Sequence, residues 1–554
     1  MLGALRREAV RRFLRRALHG SAAPVAKALA APAAKAGAAA VAAPSAAYAA
    51  WVLSSDDPGM AMRLSYNVPA RLARDCAAVA SIVADYQWSL RGADGADRAW
   101  IMHECHARSA QKLLELCFAN GGIYIKLGQH VGQLDHLLPT EYVRTMRENV
   151  LDRCPSTPYD VVCQTLREEF GAGPDELFAE FEQSPVASAS LAQVHRAYTH
   201  DGQKLAVKIQ HPGLREHSAA DVAMVEFLVH AVKWMFPGFN YQWLVDEIKI
   251  NLPKELDFVL EAANAEKCKR NLESPRSRVR GRVKVPEVIH NLTSKRVLTM
   301  EFIDGISVTD CEGLDALGVD TGKVAELVSQ TFSEMIFVFG EVHCDPHEAN
   351  LLVRKQEGEM QLVLLDHGLY QQIDQGFRWH YAGLWHALIF ADEDGIKHYS
   401  ATMNAGDMYP IFASMLTLKP WNQIREATVD HLDAPQSPQD RARIAEFAHR
   451  HVRQISDLLL QMPRELLLLL KTNDCLRAVD RSLGKPINTL VITARECVRA
   501  LAEQRSRHLP PLLAKFYTLG DHMHMELRLA MLRAATMWMR LLQCVTWRST
   551  ACSI

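Results

Sequence analysis

The sequence lacks the patterns that mark zinc-binding, disulfide-bonded and nucleic-acid-binding proteins. None of its 12 cysteines forms a C-x-x-C pair or stands at zinc-finger spacing from histidines, so we expect neither a zinc site nor a disulfide framework. The cysteines are instead expected to be buried or idle thiols in a reducing compartment. The formal net charge is −2 over 554 residues, a balance that predicts no nucleic-acid partner.

Long apolar runs are scarce as well, and one stretch is a candidate membrane anchor. Residues 21–59 are alanine-rich, and 36–55 carries no charge over a length that could span a bilayer. Pro44 and the high alanine content make this stretch weakly hydrophobic. A low-complexity linker and a membrane anchor therefore both stay open.

The first 20 residues carry an excess of positive charge. They hold six arginines and a single acidic residue, Glu8. Wound as a helix, five of the arginines share one side and apolar side chains cover the other. This pattern predicts a mitochondrial transit peptide over 1–20, with a membrane-surface helix as the competing interpretation. We therefore expect a mitochondrial protein associated with a membrane, in a submitochondrial compartment that the sequence does not identify.

The rest of the chain alternates between helical and strand-like patterns in unequal blocks. Residues 60–180 are expected to be helical, whereas 181–305 combine strand-like runs with long helical patterns, one of them continuous over about 241–272. Residues 306–510 are mainly helical around one predicted hairpin, and 511–554 form a helical tail. Blocks of this kind indicate an α+β fold rather than a regular βαβ alternation.

A lysine on one strand-like run is the first candidate site residue. In KLAVKIQ, 204–210, the apolar residues Leu205, Val207 and Ile209 alternate with Lys208. Because successive side chains of a strand point to opposite faces, Lys208 is expected opposite the core. A lysine in that position is usually solvated, but A-V-K-I matches the third strand of protein kinases, whose lysine contacts nucleotide phosphates.

Two later segments have the spacing of kinase catalytic and metal-binding residues. HCDPHEAN, 343–350, places Asn350 after Asp345 with four residues between them, as in the kinase catalytic loop. In that loop the aspartate accepts the proton of the attacking group, and the asparagine binds magnesium. LVLLDHG, 362–368, ends a buried run in Asp366, a carboxylate suited to a metal ion, and matches D-F-G with histidine in place of phenylalanine.

Any one of these segments alone could be a polar turn, but their order along the chain is that of a kinase. The run RVLTMEFIDG, 296–305, falls where the hinge strand of a kinase would lie, and Glu301 would begin the strap whose backbone holds an adenine. The sequence therefore predicts a magnesium–nucleotide site. Its four central residues are Lys208, Asp345, Asn350 and Asp366.

Several features depart from an ordinary protein kinase and resemble an atypical family. No G-x-G-x-x-G precedes the lysine, and the corresponding loop at 185–195 is rich in alanine and serine and ends in S-x-x-Q-V-H. K-x-G-Q occurs at 126–129 and E-x-D at 255–257. Together with KTNDCLR, 471–477, these motifs resemble the AarF-domain, UbiB-like atypical kinases, and a mitochondrial subgroup in particular.

The resemblance implies a kinase-like fold with a small sheet-containing N-lobe and a helical C-lobe. It also implies an N-terminal helical extension that carries K-x-G-Q over the active site and obstructs the groove for a protein substrate. The implied cofactors are ATP or ADP with Mg²⁺. The implied catalytic residues are Lys126, Lys208 and Asp345. The implied nucleotide-binding residues are Lys208, Ser188, Ala189, Ser190, Gln193, Glu255, Glu261 and Glu301, and the implied metal ligands are Asn350 and Asp366.

The partner of Lys208 stays open at this point. Glu255 and Asp257 are two residues apart, so on a helix they point about 200° apart and cannot both face one lysine unless a helix starts between them. The carboxylate that pairs with Lys208 is therefore either Glu255 or Glu261, and the other is a candidate partner of Lys126.

Two substitutions within the motifs bear on nucleotide binding. Ser188 stands where the family has alanine, which would change nucleotide preference. Glu348 and Ala349 replace Pro-Gly in the catalytic loop, and the added negative charge of Glu348 would weaken nucleotide binding.

Three functions fit these observations. The complete polar set favours a Mg-dependent ATPase or small-molecule kinase that acts on a lipid or quinone-related compound in mitochondria. The obstructed groove and the glycine-free loop favour a nucleotide-gated binding protein. Apolar C-terminal helices rich in leucine and methionine would also suit a scaffold or lipid carrier, although such residues are more often core than cargo site.

Overall fold

The structure is a computed structural model. It describes residues 58–92, 94–133, 138–150, 154, 156–235, 242–425, 452–484, 487, 489–507 and most of 509–534. The predicted targeting peptide and the predicted linker before Pro58 lie outside these residues. The chain divides into two units, Met1–Arg71 and Leu72–Ile554, and every site described below belongs to the second. Among the described residues, no helix combines the length and the apolar character that a bilayer crossing requires.

Helices dominate both ends of the described chain. In the first half they are α1 (Pro58–Ser89), α2 (Gly95–Asn120), α3 (Ile123–Gln133), α4 (Thr140–Val150), α5 (Tyr159–Phe170), α6 (Pro174–Leu177), α7 (Leu214–Met235), α8 (Gln242–Glu255) and α9 (Phe258–Glu273). In the second half they are α10 (Cys311–Ala316), α11 (Thr321–Glu334), α12 (Gln375–Ile389), α13 (Glu393–Thr402), α14 (Tyr409–Thr417), α15 (Trp421–Arg425), α16 (Val452–Gln461), α17 (Arg464–Ser482) and α18 (Thr489–Ser506).

The strands lie between these helical blocks. They are β1 (Glu180–Phe181), β2 (Ala187–Ser188), β3 (Ala192–Tyr198), β4 (Lys204–Gln210), β5 (Val283–Lys284), β6 (Val297–Glu301), β7 (Ile306–Ser307), β8 (Glu341–His343), β9 (Leu351–Gln356), β10 (Glu359–Leu364) and β11 (Tyr370–Gln372). A sheet-bearing part and a mostly helical remainder confirm the predicted α+β class.

The first sheet is antiparallel and carries the candidate lysine. Its strand order is β1-β3-β4-β6, with β2 also paired to β3. On β4 the side chains of Leu205, Val207 and Ile209 are buried in one cluster with Val162 and Leu166 of α5. Their burial confirms the alternation predicted from the sequence and leaves the opposite face of β4 for the site.

The predicted β-hairpin after the catalytic-loop motif is also present. Strands β9 and β10 pair antiparallel, with Leu351 opposite Leu364, and β10 continues into a four-stranded sheet of order β5-β10-β9-β7. The short apolar run at 285–289 does not form a strand of its own and makes a single bridge, between Val288 and Met300 of β6. Pro286 interrupts the segment and has no N–H to donate to a ladder.

The long helix predicted over about 241–272 is two helices, which corrects the sequence-based expectation. Pro253 lies in the last turn of α8, where its ring removes one helical hydrogen bond. Asp257 then adopts an extended backbone (φ −118°), and its carboxylate accepts a hydrogen bond from the N–H of Val259 at 3.1 Å. Asp257 is thus the N-cap of α9, and the break separates Glu255 from Glu261 into different helices.

This break generates a prediction about the role of Asp257. Asp257→Ala should lower the free energy of unfolding by about 1 kcal/mol, because the first turn of α9 loses its cap. Asp257→Asn is the matched control, since asparagine caps as well as aspartate, and it should unfold near the wild-type midpoint in a denaturant titration. If both variants lose the same stability, the negative charge of Asp257 and not the cap is what stabilises the break.

Candidate active site

A cavity of about 1100 Å³ lies against the outer face of the first sheet. Its walls come from the β2–β3 loop, β4, the end of β6, the loop between β8 and β9, and the residues after β10. Helices α3, α4 and α17 border it as well. Every element that carried a kinase-like motif in the sequence therefore meets at one cavity.

Lys208 is held between two carboxylates at the back of this cavity. Its Nζ lies 2.7 Å from Oε1 of Glu261 on α9 and 2.8 Å from Oδ2 of Asp366, which follows β10. The aromatic ring of Phe258 lies beneath the ammonium at 5.1 Å. Of the two carboxylates that the sequence left open, the structure thus places Glu261 against Lys208.

One cation shared by two buried carboxylates sets the electrostatics of this group. Burial raises the pKa of Glu261 to about 7, against the attraction of Lys208 and with the repulsion of Asp366. Burial acts on Asp366 in the same direction, but Lys208 and a hydrogen bond from the N–H of Gly368 hold the pKa of Asp366 well below its usual value. With both carboxylates ionised the group has one excess negative charge, which suits a further cation.

Asn350 lies next to Asp366 because the backbone ties the two segments together. The N–H of Leu365 donates to the carbonyl of Asn350 at 3.0 Å, and the side-chain Nδ2 of Asn350 donates to the carbonyl of Asp345 at 3.1 Å. The amide nitrogen is thereby committed, which leaves the amide oxygen of Asn350 for a ligand. A carboxylate and an amide oxygen are donors that Mg²⁺ accepts, with phosphates and water completing its shell.

Asp345 is buried, and two lysines neutralise it. Its Oδ1 lies 3.1 Å from Nζ of Lys471, and its Oδ2 lies 3.9 Å from Nζ of Lys126. Burial would raise the pKa of Asp345, but Lys471, His347 and Lys126 hold that pKa well below its usual value. Asp345 is therefore a permanent carboxylate and a weak proton acceptor, suited to orient an attacking group more than to deprotonate it.

Lys126 of the K-x-G-Q motif pairs with the second of the two glutamates. Its Nζ lies 2.8 Å from Oε2 of Glu255. Lys126 therefore pairs with the glutamate that ends α8, and Lys208 pairs with the glutamate on α9. Gly128 of the same motif faces α4, where an added Cβ would lie 3.3 Å from Met146 and Val150. The motif thus places the side chains of Lys126 and Gln129 at the cavity and Gly128 against the neighbouring helix.

Lys471 is a site residue that the sequence reasoning missed. The segment 471–477 served there as a family mark, and no role was assigned to its lysine. A lysine after a run of five leucines, 466–470, is typical of the polar edge of an amphipathic helix. A lysine at the end of an apolar run is the one signal that the sequence offers. It does not indicate which distant carboxylate would form an ion pair with this lysine.

The glycine-free loop is fixed by hydrogen bonds that occupy part of its polar groups. The N–H of Ala189 donates to the carbonyl of Ala192 at 2.8 Å, and the hydroxyl of Ser190 donates to Oε1 of Gln129 at 3.1 Å. Ser188 belongs to β2 and lines the cavity with these residues. The loop therefore borders the cavity as predicted, but the N–H of Ala189 is already paired within the protein.

The structure corrects the predicted role of Gln193. Its side chain is buried on the other side of β3, where it bonds both backbone groups of Thr157, at 2.6 and 3.1 Å, and the ring of His195 at 2.8 Å. Neighbouring Ala192 and Val194 line the cavity instead, because adjacent side chains of a strand point to opposite faces. Gln193 thus anchors the segment before α5 and does not line the cavity.

Glu301 ends β6 at the edge of the cavity. Its Oε2 lies 2.6 Å from Nζ of Lys284, so this side chain is engaged by a neighbouring strand. The strap that follows it, through Gly305, borders the cavity. This is the position that the sequence assigned to an adenine-binding strap.

The rings of His343, His367 and Tyr370 form a stacked cluster next to Asp345 and Asp366 in the chain. His367, which stands in place of the kinase phenylalanine, donates from Nε2 to the carbonyl of Leu364 at 3.2 Å and accepts from the hydroxyl of Tyr370 at 2.9 Å. His343 stacks on Tyr370 with ring centroids 5.3 Å apart. Burial lowers the pKa of His343 to about 4 and that of His367 to about 3, so both rings are neutral and serve as packing.

Known proteins are similar to this chain over most of its length. Residues 149–400 match the model of the ABC1 atypical kinase-like domain. A putative ABC1 protein of Arabidopsis thaliana is 46% identical over 88% of this chain and 93% of that protein. AarF domain-containing protein kinase 1 of Mus musculus is 43% identical over 79% of this chain and 83% of that protein.

A more distant likeness is to a solved kinase. The Rio2 kinase of Chaetomium thermophilum, in a complex with ADP, Mg²⁺ and phosphoaspartate, is 12% identical and matches 60% of this chain and 95% of that one. The TM-score of this match is 0.22.

Proposed function

The chain belongs to the ABC1, or AarF-domain, family of atypical kinase-like proteins, and on that premise we propose that it binds a magnesium–nucleotide complex and transfers the terminal phosphoryl group to water or to a small molecule. The observation that carries the proposal is the position of Lys208 between Glu261 and Asp366 at the back of a cavity of about 1100 Å³. The protein has an atypical protein-kinase-like fold, and in that fold these three groups belong to the nucleotide site.

The roles of the side chains follow from their contacts. Glu261 holds Lys208 in place from α9, so the ammonium can turn from Asp366 to phosphate oxygens without losing its anchor. Asp366 and Asn350 would then supply oxygen ligands to magnesium. When bound, magnesium neutralises charge on the phosphates. Asp345 would orient the attacking hydroxyl by accepting its hydrogen bond.

The acceptor is proposed to be small. Side chains of α3 and α4, among them Gln129 and Arg147, border the same cavity, which leaves little room for an extended protein segment. We assign the acceptor to the lipid or quinone-related compounds of mitochondria, with the protein associated with a membrane there. The arginine-rich segment 1–20 supports the mitochondrial location.

A fluorescent protein fused behind that segment should therefore enter mitochondria, whereas a fusion with its six arginines replaced by glutamine should not.

A second function is favoured by one specific observation. Asp345 is neutralised by Lys471 at 3.1 Å and by Lys126 at 3.9 Å, so the residue in the catalytic-base position is a weak base. A protein that binds nucleotide, changes shape and transfers no phosphate would keep such an arrangement. In this alternative the chain is a nucleotide-gated binding protein or scaffold for lipids or membrane partners.

Nucleotide binding is tested first, by thermal unfolding with and without Mg-ATP or Mg-ADP. A ligand at 100 times its dissociation constant stabilises the folded state by about 2.7 kcal/mol, and this shift should vanish in Asp366→Asn because one metal ligand is lost. Asp320→Asn is the matched control: Asp320 caps α11 away from the cavity, asparagine also caps a helix, and the nucleotide shift should persist. A shift that survives in Asp366→Asn would place the nucleotide elsewhere.

Phosphoryl transfer is tested separately from binding. Asp345→Asn should keep the nucleotide-dependent thermal shift but lower ATP turnover by about 100-fold or more, since it removes the group that orients the attacking hydroxyl. The measurement is phosphate release, with and without vesicles of phospholipid. Turnover that is equal in wild type and in Asp345→Asn would rule out this role, and binding without turnover in wild type would support the nucleotide-gated alternative.

A further inference from the structure

A second cavity adjoins the nucleotide cavity on the side of α8 and α17. It has a volume of about 130 Å³, and five of its lining residues also line the larger cavity: Lys126, Glu255, Leu369, Leu418 and Asp474. Its wall is largely apolar. Much of that wall comes from α8, α14, α16 and α17, including Leu244, Ile248, Leu252, Met415, Leu459 and Leu468.

The polar end of this cavity contains an ammonium group with unmet hydrogen-bonding capacity. Nζ of Lys471 is buried, and Oδ1 of Asp345, 3.1 Å away, is its ion-pair partner among the described residues. An ammonium has three N–H donors, and buried donors are nearly always hydrogen-bonded. Lys471 can therefore donate to a further acceptor on the cavity side.

The charges at this end are already balanced. Lys126 and Lys471 each pair with a carboxylate, as described above, and the other two lining carboxylates pair with arginines: Glu247 with Arg464 at 3.0 Å and Asp474 with Arg477 at 3.0 Å. His130 is neutral because burial, together with the two nearby lysines, lowers its pKa well below the usual value. A charged ligand would find no counter-charge here, and its burial would carry a large desolvation cost.

One of the five residues that line both cavities, Leu418, is held in an unfavourable backbone conformation. Leu418 follows α14 with φ 53° and ψ 37°, a left-handed conformation that leucine rarely adopts. Non-glycine residues in such conformations cluster at functional sites, where the surrounding structure enforces them. Leu418 thus marks the boundary between the cavities independently of Lys471.

We propose that the smaller cavity is a binding site for a compact, uncharged, apolar molecule with one hydrogen-bond acceptor, a hydroxyl or carbonyl oxygen that accepts from Lys471. An apolar cavity of about 150 Å³ holds benzene, so a single ring or a short branched segment fits the volume. The bound oxygen lies one side chain away from Asp345, because Lys471 contacts both. Ligand binding at this site needs no nucleotide, so it goes beyond the proposed phosphoryl transfer.

The first test uses two probes of nearly equal shape, benzyl alcohol and ethylbenzene, on the full chain without nucleotide. Benzyl alcohol should raise the unfolding midpoint of the wild type in a concentration-dependent manner, and ethylbenzene should raise it less. Met415→Trp fills the cavity and should abolish the response. Met408→Trp is the matched control, since Met408 is a half-buried methionine of the same core that lines neither cavity, and it should respond like the wild type.

The second test asks whether Lys471 recognises the oxygen. Lys471→Met should remove the preference for benzyl alcohol over ethylbenzene, whereas Lys267→Met, which breaks an ion pair with Glu341 elsewhere, should keep it. Equal responses of the two tryptophan variants, or an unchanged preference in Lys471→Met, would overturn the proposal. Because no nucleotide is present, these outcomes are independent of whether the magnesium–nucleotide site works.

Discussion

The shared ion pair of Lys208 is the constraint on which the rest of the site depends. One ammonium joins three elements that are far apart in the chain: β4, the helix α9 that carries Glu261, and the segment after β10 that carries Asp366. Removing one partner from such a group leaves an uncompensated charge in a buried place, which costs several kcal/mol. The first sheet, α9 and the β9–β10 hairpin must therefore keep fixed positions relative to one another. The cavity forms between the elements held in this way.

The loop that stands in place of the kinase glycine-rich loop is also fixed by its contacts with neighbouring elements. An ordinary kinase uses glycine so that backbone N–H groups can approach phosphates. Here the loop is closed by its own backbone at Ala189 and tied through Ser190 to Gln129 of α3. Its conformation is thus set by the bond within the loop and the contact with Gln129 and not by backbone freedom, so a nucleotide bound there would meet a loop whose shape depends on K-x-G-Q.

Much of this site was predictable because the information is local. Strand alternation placed Lys208 opposite its apolar neighbours, and a buried run followed by glycine placed Asp366 at a strand end. The α8–α9 break was not predicted, since the helical pattern passes through it and its cause is a proline acting together with the cap of Asp257. Gln193 and Lys471 were missed or misjudged because their roles depend on which distant segment packs against them, and periodicity does not contain that information.

The network of four charges that includes Asp345 bears on which ligands the two adjoining cavities can accept. A buried network of ion pairs joins Lys126, Lys471, Glu255 and Asp345. A ligand that enters must therefore form a hydrogen bond with one of these groups without breaking its ion pair. On the larger side, the proposed magnesium–nucleotide complex would bring a cation to the carboxylates that flank Lys208. On the smaller side the lining charges are paired and the wall is largely apolar, so the proposed ligand would offer Lys471 a neutral oxygen. Asp345, which lines the larger cavity and contacts Lys471 of the smaller one, would lie between the two ligands.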